Sequence, residues 1–145
     1  MNTDSFAFLN QLPINIDGLH IFSVYFMTGV IWIIQVVHYP LMSKVHPDFF
    51  AEFHLEHSNK ITYVVGPTMI LQLATSFWVS QFNYLWLGLS LANFALTFLV
   101  SVPIHNKLAT TWNPELHKKL VFTNWPRTLL WSAHSLLLYF VFFNS

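Results

Sequence analysis

The twelve Asp, Glu, Lys and Arg residues of this chain fall in three blocks, 1–17, 44–60 and 107–127, and leave 18–43, 61–106 and 128–145 without formal charge. A helix that crosses a bilayer needs roughly 20 predominantly apolar residues, because hydrocarbon offers no partner for a charge or an open backbone group. The first uncharged stretch holds one such segment, 19–41. The second is twice too long for one crossing, and the polar break Gln81-Phe82-Asn83 divides it into 61–80 and 84–103. The last stretch is short, so its helix is expected to begin earlier, near Asn124, and to run to Phe143. The expected fold is all-α: a four-transmembrane-helix bundle forming one domain over 1–145.

Composition supports this class. Charged residues make up 8% of the chain, against about 25% in soluble proteins. Zero net charge with neutral His leaves no field to attract nucleic acid. The absence of cysteine excludes disulfides, thiolate metal sites and a cysteine nucleophile. No basic stretch precedes the first apolar segment and no small-residue cleavage site follows it, so it is expected to stay in the mature protein.

Basic residues set the expected orientation. With four crossings, Lys44, Lys60, Lys107, Lys118, Lys119 and Arg127 all lie on one side. That side is expected to be cytoplasmic, with loops 42–60 and 104–127 facing inward and both termini outward (N-out/C-out), in a bacterial inner membrane. Tyr84, Trp86, Trp112, Trp125 and Tyr139 fall near span ends and are expected to anchor them, whereas Trp32, Trp78 and Trp131 are expected to pack. Pro47 suits the first turn of a helix, so the second helix should begin there, before its membrane span. Pro67 is expected to kink that helix, and Pro103 the third.

Polar groups inside the spans need partners. Gln72, Asn93 and Thr97 are expected to hydrogen-bond between helices, and Gln35 shares a helix face with His38. The eight histidines are the main chemical lead. His38, His54, His57 and His105 fall at one leaflet boundary, and neutral imidazole suits Cu, Zn and Fe. These four are the expected metal ligands. Glu52 and Glu56 are candidates for proton transfer or for support of the ligands, and Arg127 for anchoring a polar substrate group. His134, within the fourth span, could reach toward the same cluster. A haem held between facing helices is the alternative cofactor, by His38 with His134, by His57 with His105, or by His20 alone near the outer face. His46 and His117 are expected in loops, bound to water or lipid phosphate.

The stretch Trp32-Ile-Ile-Gln-Val-Val-His-Tyr-Pro-Leu, then Phe53-His-Leu-Glu-His-Ser-Asn-Lys-Ile-Thr with Val65-Gly-Pro, resembles small four-helix bacterial integral membrane proteins. Val102-Pro-Ile-His-Asn-Lys-Leu and Thr123-Asn-Trp-Pro-Arg-Thr-Leu-Leu-Trp are similar to anthrone-oxygenase-like members of that group. The resemblance spans roughly residues 19–143 and implies oxygenation of an apolar aromatic substrate. His134 stands where the group is expected to carry Arg. Leu19-His-Ile, Pro67-Thr-Met-Ile and Pro126 before Thr128-Leu-Leu are faintly similar to small membrane protoporphyrinogen oxidases, which implies haem.

The expected function is therefore a histidine-ligated metal centre near the cytoplasmic end of the bundle, activating dioxygen or water for redox chemistry on an apolar small molecule. The alternatives are a haem-binding membrane oxidoreductase and a non-catalytic metal or solute carrier or partner-binding subunit. The partners are the lipid bilayer, the apolar molecule and a second copy of the chain in a homo-oligomer. No nucleic acid is expected.

Overall fold

The computed structural model describes residues 15–79 and 83–143. Their only regular secondary structure is helical, without strands, in four helices: α1 (Ile16–Met42), α2 (Pro47–Ser76), α3 (83–108) and α4 (Pro114–Phe143). Two of them, Ile16–Met42 and Tyr84–Leu108, are long and apolar enough to cross a membrane. At 1.5 Å per residue each is about 40 Å long, against ~30 Å of hydrocarbon. α2 and α4 carry charge in their first halves. The break expected at Gln81-Phe82-Asn83 lies largely outside the described residues.

α1, α2 and α4 each start where the sequence supplies a cap. The Asn15 side chain accepts from the Gly18 N–H, and Asp17 sits in the first turn of α1. The His46 ring accepts from the Asp48 N–H, with Pro47 opening α2. The Asn113 Oδ1 accepts from the Leu116 N–H, with Pro114 opening α4. Proline lacks the N–H that the first turn cannot use, and an early acid complements the helix dipole. α4 thus begins at Pro114 and not near Asn124, because Asn113-Pro114-Glu115 is a complete start signal. His117 consequently lies buried in a helix, not in a loop.

The helices form a ring in which α1 and α3 each pack on both α2 and α4. Three apolar layers fill it. Val24, Val79, Trp86 and Leu138 form the layer near the chain's N-terminal side. Met27, Ile31, Met69 and Trp131 form the middle, and Tyr39, Met42, Phe50, Ile104, Leu108 and Leu120 the layer by the 43–46 and 109–113 connections. Two bands of buried polar residues accompany these layers, and they differ in kind.

α1 and α3 each contain one π-helical stretch, Ile34–His38 and Thr97–Ser101. Each lies just before a proline. Proline lacks an N–H and its ring collides with the carbonyl four residues back. For Pro40 that carbonyl belongs to Val36, and for Pro103 to Leu99, both inside the widened turns. The preceding residues bond one step further back than an α-helix would: Tyr39 N–H to Ile34 O, and Val102 N–H to Thr97 O. The response to Pro103 is thus a wider turn. Pro67 and Pro126 sit inside α2 and α4 without interrupting them.

Candidate functional site

The band near the N-terminal side joins α1, α2 and α4 through His20, Thr75, Gln72 and His134. His20 Nε2 and His134 Nε2 are 3.2 Å apart, and His20 Nδ1 is 3.0 Å from Thr75 Oγ1. The Thr75 hydroxyl donates to backbone carbonyls of its own helix, so its oxygen accepts from His20 Nδ1–H. His20 Nε2 is then bare and accepts from His134 Nε2–H. His134 Nδ1 in turn faces Gln72 Nε2 at 3.5 Å. The same amide donates to Ser90 Oγ at 3.2 Å, and Gln72 Oε1 accepts from Trp131 Nε1–H at 3.0 Å. Trp86 stacks on His134 with planes 3° apart. Every imidazole nitrogen has a role in this neutral network, which is what a buried polar network needs to be stable.

This arrangement departs from several expectations. His134 pairs with His20 and not with the other histidines, so His38 and His134 are not brought together. His20 is buried against His134 instead of standing alone near the outer face. Trp86 is core, not an interface anchor, whereas Trp32 and Trp78 are exposed. Gln72 bonds across helices as expected, but Thr97 donates to Asn93 O on its own helix. Neither amide atom of buried Asn93 has a partner among the described residues.

The second band, near the 43–46 and 109–113 connections, gathers His38, His54, His57 and His105 from α1, α2 and α3. His54 Nε2 and His105 Nδ1 are 3.0 Å apart, with their rings stacked. His38 and His57 stack with ring centroids 4.0 Å apart, and His54 and His57 lie 6.5 Å apart. The Tyr39 hydroxyl is 3.3 Å from His105 Nε2. Whichever of His54 and His105 donates, His54 Nδ1 stays buried without a partner, as does His38 Nε2. Burial among neighbouring histidines lowers the His54 and His57 pKa values to about 4. Among the described residues no three His, Asp or Glu side chains converge with metal-binding geometry.

Glu52 and Glu56 lie on the exposed face of α2, and Glu56 is tied to Lys60 at 2.6 Å. That ion pair holds the Glu56 carboxyl below its ordinary range. Neither is placed to support the histidines. The polar groups that touch them instead are Tyr39 and Ser58, which sequence reasoning missed; the adjacency of Tyr39 to His38 and of Ser58 to His57 was the available signal.

A cavity of about 230 Å³ adjoins the histidines, with His57, His105, Tyr39 and Arg127 on its wall. Arg127 is buried within α4, not in a loop. Its Nη1 donates to Asn124 Oδ1 at 3.0 Å and to Ser101 Oγ at 3.1 Å, and it lies over the Trp131 ring. Asn124 in turn donates to Gln35 Oε1 at 2.7 Å. The two π-helical stretches contribute Ile34, Thr97 and Ser101 to the cavity wall.

No protein-family model, curated protein or solved structure matches this chain.

Proposed function

We propose that this chain is an integral membrane protein that binds a transition-metal ion at the His54–His105 pair. All four helices cross the bilayer, with the 43–46 and 109–113 connections on the cytoplasmic side and both termini outside. Large apolar side chains exposed on every helix support this, among them Phe22 and Ile33 on α1, Tyr63 and Ile70 on α2, Leu99 on α3, and Leu129 and Phe140 on α4. The bound ion supplies Lewis-acid or redox chemistry, and the adjoining cavity receives a small apolar molecule.

The carrying observation is the contrast between the two histidine bands. At His20 and His134 every ring nitrogen is engaged. At His54 and His105 nothing fixes the tautomers: His54 Nδ1 has no partner and the Tyr39 hydroxyl can accept from His105 Nε2–H, so the two facing nitrogens can both be bare. Two imidazole nitrogens on a tetrahedral ion with bonds of ~2.0–2.1 Å stand about 3.3 Å apart. The 3.0 Å between His54 Nε2 and His105 Nδ1 needs only a small opening to reach that. His57 and His38 complete the ligand set by turning out of their mutual stack.

The test is elemental analysis and an absorption spectrum of the purified protein, with His54→Ala and His105→Ala alongside. Stoichiometric Cu, Fe or Zn that falls in both variants is the expected result. A Soret band would instead mark the haem alternative. Metal content unchanged in folded variants would sink the proposal.

A further inference from the structure

Arg127 is a cation in the wrong place for a purely structural residue. It is 7% exposed, inside a bundle whose other five basic residues all lie nearer the connections or on the surface. The ion pairs among the described residues are His46–Asp48, Glu56–Lys60 and Glu115–Lys118, and none includes Arg127. Its hydrogen-bond partners, Asn124 and Ser101, are neutral. Its Nε–H is buried and unpartnered, and the side chain lines the cavity. A buried charge without an opposite charge is expensive, and the cost is larger in a bilayer.

We propose that Arg127 and this cavity bind the carboxylate of a small, singly charged acid with an apolar body. The charge follows from the site, where one guanidinium is balanced by one negative charge and a dianion would leave an excess. A carboxylate also offers two oxygens to a planar fork. The apolar body follows from the aliphatic side chains of the lining, Ile34, Ile61, Val65 and Val102, which share the wall with Ser58, Thr62 and Thr97. His57, His105 and Tyr39 line the same cavity, so an acid held by Arg127 lies among them. The site does not require a metal ion, so it and the proposed metal centre fail separately.

The test is calorimetric titration of the full-length protein in detergent with benzoate, benzamide and inorganic phosphate. Benzoate is expected to bind saturably, and benzamide, the neutral near-isostere, roughly tenfold or more weaker, as loss of a charged partner implies. Phosphate is expected to bind weakly. Arg127→Gln should lose the preference for benzoate over benzamide. Ile61→Trp, which fills the cavity and leaves Arg127 in place, should lose benzoate binding if it folds. Equal binding of benzoate and benzamide to the unaltered protein overturns the proposal, as does phosphate binding more tightly than benzoate or no benzoate binding at all.

Discussion

His20 and His134, 114 residues apart in sequence, share one hydrogen bond between their Nε2 atoms at 3.2 Å. Both rings are neutral in this arrangement, and each fixes the tautomer of the other through Thr75 and Gln72.

This pair is a structural latch, so breaking it is expected to cost stability and not metal. His134→Ala strands His20 Nε2 and one Gln72 N–H and removes the ring stacked on Trp86, a loss of about 2–4 kcal/mol. Thermal unfolding in detergent measures it. The double variant with His20→Ala should cost less than the sum of the singles, because the partners share one interaction. Additive losses would refute the coupling.

The metal-free protein is expected to lose stability as pH falls from about 6.5 toward 4. Folding holds His54 and His57 neutral down to about 4, whereas in the unfolded chain they take up protons near 6.5. Between those values the unfolded state binds more protons, so the stability present above 6.5 drains away as pH drops. Melting curves from pH 8 to 4.5 in a chelating buffer should show this. A His54→Gln, His57→Gln variant should have a flatter profile, and an unchanged slope would show that other groups are responsible.

Pro40 and Pro103 are expected to trade helix stability for site geometry. Pro40→Ala restores a backbone donor and removes a residue that costs about 3 kcal/mol in a helix interior. A regular α-turn over 34–38 would rotate Gln35 and His38 relative to Tyr39. The expected variant melts higher and binds less metal. A higher melting temperature with full metal binding would show that packing alone holds the π-helical turn.

The chain has no cysteine, so single introduced cysteines report sidedness cleanly. With four crossings, Thr110→Cys should react with an impermeant maleimide only from the cytoplasmic side, and Tyr84→Cys only from the opposite side. Labelling of both from one side would limit the bundle to fewer crossings.

The helices were legible where charge and proline mark them. The blocks of charge delimit α1 and the end of α3, and Pro47 locates the start of α2. α4 starts ten residues before Asn124, a start hidden in the sequence because its charged first half, with Lys118 and Lys119, reads as a loop. Four of the histidines were grouped correctly because the hairpin topology alone puts His38, His54, His57 and His105 at one end. The His20–His134 pair was not legible, since it depends on how far α4 is rotated about its axis. Glu52 and Glu56 share a helix with the histidines but face outward, a distinction that periodicity does not make without knowing which stripe is buried.

α2 extends some 14 residues before its apolar half begins at Ile61, about 20 Å of helix. In the proposed orientation this length carries His54 and His57 to the seam between lipid and cytosol. A centre at that level is served from two phases at once. An oily reactant arrives sideways through the leaflet, while metal, reductant and protons are delivered from water, and neither route has to cross the other.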